Sequence, residues 1–207
     1  MKSDMNGLVE FLKQIEVLKA STLIDAFQTN DRCDFVLYNS RGSAYDNNPV
    51  SIGYGQTNSQ PYTVAFMMEL LQPEPGNEVL DVGFGSGWSS AILAKAVGKQ
   101  GSVLAVEIIP EIFEFGKSNL QKYNYPNIEF FQGSWTDLPA REFDRILVSA
   151  AAASSVPHIL AKRLKVGGRL VIPVRNAFGQ SIRLLEKIKD NDLEEHNYPD
   201  FIFVPLV

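Results

Sequence analysis

The chain has 207 residues, enough for one domain with a well-filled core. Hydrophobic residues make up 45% and charged residues 21%, the balance of a globular protein in water rather than of a disordered or membrane-embedded chain. The net charge of -5 argues against a broad nucleic-acid footprint, and the single cysteine, Cys33, excludes an internal disulfide and suits a reducing compartment.

The N-terminal segment has no apolar stretch like that of a secretory leader, and no apolar run is long enough to span a bilayer. A cytoplasmic protein that engages neither membrane nor nucleic acid is therefore expected. Residues 7–20, "GLVEFLKQIEVLKA", place Leu8, Phe11, Leu12, Ile15 and Leu18 at helical spacing. A second helix is expected from Ser21, as N-cap, through Phe27. Residues 31–60 are rich in Asn, Asp, Gly and Ser and read as irregular. Pro61 suits the first turn of a helix ending at Leu71, and "QPEPGN" then breaks the chain.

From Glu78 onward strands and helices alternate. "EVLDV", "SVLAVE", "NIEFFQ", "FDRILVSA" and "RLVIPV" read as strands. "SSAILAKAVG", "PEIFEFGKSNLQKY" and "SSVPHILAKRL" read as the helices between them, the last stopped by Gly167-Gly168. Two more strands, "QSIRLLEKIK" and "FIFVPLV", are expected as an antiparallel hairpin, with "EKIKDNDLEEH" a solvated strand end and turn. The pattern implies an α/β fold: a doubly wound, mostly parallel seven-stranded sheet with an N-terminal helical extension.

Asp81, Val82, Gly83, Phe84, Gly85, Ser86 and Gly87 follow the first of these strands and open a helix. Glycines there allow close backbone approach to a ligand. The spacing is G-x-G-x-G, not the G-x-G-x-x-G that seats a dinucleotide diphosphate. Asp81 ahead of the loop would repel a phosphate and suits an amine-bearing ligand. Glu107 ends the next strand, where a carboxylate can accept hydrogen bonds from both hydroxyls of a ribose. Together they read as a site for a nucleoside without a diphosphate, the S-adenosylmethionine pattern. The bland alternative is a tight strand-to-helix turn beside a solvated glutamate.

The chain is similar to the protein-L-isoaspartate (D-aspartate) O-methyltransferase family, within the class I methyltransferases. The likeness runs from about Ser21 to the C-terminus, through "IDAFQTNDRCDFV", "VLDVGFGSGWSSAILA", "VEIIPEIFEFGKSNL" and "LKVGGRLVIPV". Its most specific element is "GYGQTNSQP", which resembles the family's G-x-G-Q-T-I-S-x-P signature.

The resemblance implies methyl transfer from S-adenosyl-L-methionine to the free carboxylate of L-isoaspartyl or D-aspartyl residues in damaged proteins or peptides. The product is S-adenosyl-L-homocysteine, and the ester collapses to a succinimide. It implies Ser59 as the active-site residue, with Gln56, Thr57, Asn58, Ser59 and Ser149 on the substrate. It implies Asp81, Gly83, Phe84, Gly85, Ser86, Gly87, Glu107, Ser134 and Trp135 on the cofactor, and Gln180 as a polar residue near the cofactor; with two histidines and one cysteine, no metal site is expected. The chain is expected to divide into residues 1–60, a helical extension with the substrate-side loop, and 61–207, the cofactor-binding domain, in one compact unit acting as a monomer or weak dimer.

Three positions depart from the family pattern. Gly133-Ser134-Trp135 stands where Gly-Asp-Gly is usual; Ser134 would offer adenine a hydrogen bond and Trp135 a stacking face. Ser149 replaces a threonine, and Asn58 replaces an isoleucine beside Ser59. Two other readings stay open: another carboxylate or peptide substrate on the same fold, or a cofactor-poor non-catalytic homologue. Without the resemblance, Ser59 reads as a helix cap.

Overall fold

The structure, a computed structural model, describes residues 4–177, 179–190 and 192–207. Helix α1, Met5–Gln14, begins at Asp4, whose carboxylate accepts the Gly7 amide at 2.8 Å. It ends sooner than its apolar spacing predicts, because Glu16 turns to φ 58°. Leu8 and Leu12 are buried as expected, Ile15 is exposed, and Leu18 reaches the core from the turn after the helix. Helix α2 spans Ser21–Thr29, but its cap is Ala20, so Ser21 does not serve as N-cap.

Residues 31–60 are more ordered than their composition predicts. They hold two short 3-10 turns, Arg32–Phe35 and Tyr38–Ser43, and a hairpin of β1, Val50–Gly53, and β2, Gln56–Asn58. Tyr54 and Gly55 turn the hairpin with φ of 52° and 73°, the paired positive values that a two-residue turn requires. Helix α3, Pro61–Leu71, carries Pro61 in its first turn and buries Met68 and Leu71 completely. Each such side chain contributes about 1.5–3 kcal/mol by leaving water. Glu69 of α3 accepts the amides of Lys19 and Ala20 at 2.6 and 2.8 Å and ties the N-terminal helices to the domain.

Up to β8 the remaining elements alternate as expected: β3 (Glu78–Val82), α4 (Trp88–Val97), β4 (Ser102–Glu107), α5 (Pro110–Gln121), β5 (Ile128–Gln132), β6 (Phe143–Val148), α6 (His158–Lys162, only the middle of the expected helix), β7 (Leu164–Asn176) and β8 (Gly179–Lys189), followed by β9 (Asp192–Tyr198). The last seven strands in the chain build one sheet in the order β5-β4-β3-β6-β7-β8-β9. The first five of these, β5 to β7, pair in parallel, and β8 and β9 add antiparallel at one edge.

Side chains alternate between the faces. Val79, Val103 and Leu147 pack with α1 to α4, while Leu80, Val106, Ile146 and Val148 pack with Leu160 of α6 on the other side. Both faces are thus covered, and β3 is apolar except for Glu78 at its start and Asp81.

Three expectations at the C-terminal end are corrected. Gly167 and Gly168 stop no helix; they lie inside β7, in a bulge where the pairing shifts between Phe143 and Arg145. The seventh strand is the charged segment 192–198, not "FIFVPLV"; residue 191 lies outside the described residues. Exposed charge suits a sheet edge, where it discourages pairing with another chain. The apolar tail 201–207 contains Pro205, which has no amide to give a ladder. It crosses the sheet end instead, through Ala151 N–H to Val204 C=O and Leu206 N–H to Ala151 C=O, both 2.8 Å.

Candidate active site

The loops that follow β3, β4, β5 and β6 converge at the carboxyl ends of the parallel strands, where ligands of open α/β sheets sit. The β1–β2 hairpin and the tail 204–207 close over them. Between lies a cleft of about 860 Å³, partly open to solvent. Its walls include Gln56, Thr57, Asn58, Ser59, Gly83, Phe84, Gly85, Ser86, Glu107, Ser134, Trp135 and Ser149. The fold therefore brings together all but three of the residues expected at the site. Asp81, Gly87 and Gln180 are not in the wall.

The glycine loop is shaped by backbone need. Gly83, Gly85 and Gly87 have φ of 75°, 56° and 91°. Gly87 is the N-cap of α4, and a Cβ there would lie 2.8 Å from Leu120 and 2.9 Å from the Gly116 carbonyl. Its role is close packing of the loop on α5 rather than contact with a ligand. Gly116, inside α5, completes that packing from the other side. Its signal was an isolated glycine in a helical run, which costs about 1 kcal/mol against alanine and calls for a packing reason.

Asp81 lies under the loop, fully buried. Its Oδ2 accepts the hydroxyls of Ser89 at 2.7 Å and Ser90 at 2.6 Å, and Oδ1 has no partner among the described residues. Burial pushes its carboxyl up to about 6, the two serines pull it down, and Glu107 adds to the rise. Asp81 thus anchors α4 to β3 from beneath instead of addressing an amine, because its position on the strand turns it toward the helix.

Glu107 is placed as expected. Its Oε1 accepts the amides of Ile108 and Ile109 at 2.9 and 3.0 Å, and Oε2 accepts the Gly85 amide at 3.2 Å. The carboxylate is held rigidly at the wall, and Oε2 keeps capacity for a hydroxyl donor.

Ser59 stands half-buried between β2 and α3. The cap of α3 is Gln60, and the Ser59 hydroxyl bonds to no group among the described residues. The capping role is therefore excluded. Its carbonyl is gripped by Arg32 Nη2 at 2.9 Å.

Arg32 went unnoticed in the sequence because nothing local distinguishes it. It is completely buried and also donates to the carbonyls of Ala44, Asp46, Asn48 and Asn58. Its guanidinium lies 5.4 Å from the centre of the Trp88 ring. Burial lowers its pKa to about 10, with Asp46 acting in the opposite sense, so it stays charged at neutral pH.

The Asn58 side chain is turned inward. It accepts Arg32 Nε at 3.0 Å and donates to the Phe35 carbonyl at 3.2 Å and to Ser86 Oγ at 3.0 Å. Both amide protons are engaged, which leaves no donor for a substrate. Ser134 likewise has its hydroxyl engaged, capping Thr136 N at 3.2 Å and bonding Thr136 Oγ1 at 2.7 Å. Gln180 lies away from the cleft and pins the tail, accepting Phe203 N at 2.7 Å and donating to Phe203 C=O at 3.1 Å. The tail itself, Val204 to Val207, lines the cleft and was read only as a strand.

A second groove opens beside the first and shares Thr57, Ser59, Ser149 and Val204 with it. Tyr62, Phe66, Tyr198 and Phe201 form its aromatic floor, with Phe66 5.3 Å from both Tyr198 and Phe201.

A parallel sheet with this strand order and an antiparallel edge, a G-x-G-x-G loop after β3 and a carboxylate at the end of β4, has the fold of a class I methyltransferase. The model of the protein-L-isoaspartate (D-aspartate) O-methyltransferase family matches residues 3–207. The chain belongs to that family.

A protein-L-isoaspartate O-methyltransferase of Methanopyrus kandleri is 40% identical over 203 residues, covering 97% of this chain and 89% of its own. One from Staphylothermus marinus is 37% identical over 214 residues, covering 100% and 95%. A Plasmodium falciparum structure solved in complex with S-adenosyl-L-homocysteine shares the fold, with a TM-score of 0.89 at 23% identity over 99% of both chains.

Proposed function

We propose that the cleft transfers a methyl group from S-adenosyl-L-methionine to the free carboxylate of L-isoaspartyl residues in damaged proteins or peptides, with D-aspartyl residues as further substrates. The observation that carries this reading is the position of Ser59. Its unengaged hydroxyl lies where the cofactor cleft and the aromatic groove meet.

The residues present fit the cofactor. Glu107 is held by three amides with an oxygen available for ribose hydroxyls. Gly83 and Gly85 bring backbone to the wall, beside the side chains of Phe84 and Ser86. With the Ser134 hydroxyl engaged by Thr136, the Trp135 ring in the wall is the group that would offer the base a stacking face. Bound S-adenosylmethionine supplies an electrophilic methyl group on a sulfonium.

The substrate carboxylate is already ionised near pH 7, so no strong general base is required. Ser59 aims that carboxylate as a hydrogen-bond donor, and Ser149 stands on the same shared wall. The rate comes mainly from holding oxygen and methyl carbon in line. The tail 204–207 helps exclude water while opposite charges neutralise. The aromatic groove accommodates the peptide on either side of the reacting residue.

Residues 1–60 act as the substrate-side extension and 61–207 as the cofactor-binding unit. The protein works in the cytoplasm as a monomer or weak dimer, without nucleic acid. The net charge of -5 supports the lack of a nucleic-acid partner, and no helix among the described residues is long and apolar enough to cross a membrane.

The test is methyl transfer from labelled cofactor to an isoaspartyl peptide beside its aspartyl twin. Labelling of the isoaspartyl peptide alone is expected. Equal labelling of both, or of neither, overturns the proposal.

A further inference from the structure

Asn58 connects two loops that the reaction must hold in register. The guanidinium of Arg32 can only donate and the carbonyl of Phe35 can only accept, so these neighbours orient the Asn58 amide without ambiguity. The oxygen faces Arg32, and the nitrogen faces Phe35 and Ser86. Ser86 Oγ is therefore an acceptor toward Asn58, and its own proton must point elsewhere. Ser86 is 4% exposed, lines the cofactor cleft, and gives its proton to no acceptor among the described residues.

The hydrogen bonds run in one direction, from Arg32 to Asn58 to Ser86 and on into the cleft. Aligned bonds of this kind polarise one another. The chain starts at a buried cation whose hydrogen-bond partners are carbonyls and the Asn58 amide, with no carboxylate among them. Positive charge behind the wall and an outward-facing donor on it favour an anionic acceptor in the cleft.

We propose that Asn58 is a positioning residue, which turns the Ser86 hydroxyl proton into the cleft as a donor to the carboxylate on the amino-acid end of the bound S-adenosyl compound. This rests on the cofactor reading above. An isoleucine, which the family pattern carries at this position, could not transmit the orientation. The chain's departure beside Ser59 thus serves the cofactor side of the site rather than the peptide.

Titration calorimetry tests it with two ligands, S-adenosyl-L-homocysteine and 5′-methylthioadenosine, which keeps the nucleoside and sulfur but lacks the amino-acid end. In Asn58→Asp the side chain still pairs with Arg32 but would accept the Ser86 proton and reverse the relay. Both Asn58→Asp and Ser86→Ala should weaken S-adenosylhomocysteine about tenfold or more and leave methylthioadenosine within about twofold, the size of losing one hydrogen bond to a charged group. The double variant should bind no more weakly than Ser86→Ala alone. Equal loss of both ligands, loss of neither, or additive losses in the double variant would overturn the relay. Wild-type protein that binds neither ligand would instead overturn the cofactor reading, and the relay with it.

Discussion

Gly116 of α5 faces the carbonyl oxygen of Gly85 so closely that a Cβ on Gly116 would overlap it and strike the Phe84 ring. The loop that shapes the cofactor cleft is thus held from behind by a helix with no side chain at the contact. Alanine at 116 should gain about 1 kcal/mol of helix propensity. It should lose more through overpacking against backbone that cannot yield, which costs about 1–3 kcal/mol. We expect Gly116→Ala to lower the unfolding midpoint and to weaken S-adenosylhomocysteine by about tenfold. An unchanged affinity by calorimetry would show that the loop tolerates displacement.

Ser59→Ala should leave stability alone, because the hydroxyl holds no partner among the described residues. A capping serine would have cost about 1 kcal/mol. The kcat/KM for an isoaspartyl peptide should fall about 10- to 100-fold through loss of one aiming hydrogen bond to a charged group. Affinity for S-adenosylhomocysteine should stay constant. Full activity in the alanine variant would remove Ser59 from the proposed mechanism.

Glu107→Gln replaces one carboxylate oxygen by an amide nitrogen. Since Oε1 and Oε2 both accept backbone amides, either orientation sets a donor against a donor. The expected results are a loss of about 2 kcal/mol in stability and at least tenfold weaker nucleoside binding, including that of 5′-methylthioadenosine. Binding of that fragment at wild-type strength would count against Glu107 as the ribose acceptor.

Asp81 gives a pH signature. Its folded pKa, about 6, lies above its ordinary 3.8, so the native state binds the proton more tightly than the unfolded chain. Stability from this group is fully present below about pH 4, falls as pH rises toward 6, and is level above that. The fall is on the order of 3 kcal/mol. Asp81→Asn should abolish it, so that between pH 4 and 6.5 the variant gains on the wild type by that amount in denaturant titrations. Parallel stability curves for the two proteins would refute the assignment.

Much of this molecule was legible in one dimension. Strand and helix periodicity from Glu78 to Val174 placed the first five strands of the sheet, and the glycines after β3 and the glutamate ending β4 marked the cofactor side. The hairpin β1–β2 is hard to read from sequence because its strands are only four and three residues long and its turn uses Tyr54 where Asn or Gly is usual. The edge strand and the tail were exchanged because hydrophobicity suggested that the apolar segment would pair. A charged segment can form an edge, while an apolar one with a proline can cross the sheet end on a single bridge to Ala151 instead of a ladder.

The sequence by itself determined what depends on neighbours a few residues apart: the alternation of elements, the left-handed glycine loop and the carboxylate at a strand end. Only the tertiary structure decided what each polar side chain faces. It turned Asp81 toward the serines of α4, and it left the Ser59 hydroxyl without a partner among the described residues. It joined Asn58 to Arg32 and Ser86, which lie 26 and 28 residues away in the chain. A desolvated polar group must bond to whatever donor or acceptor the fold brings within about 3 Å, and no local pattern encodes that choice.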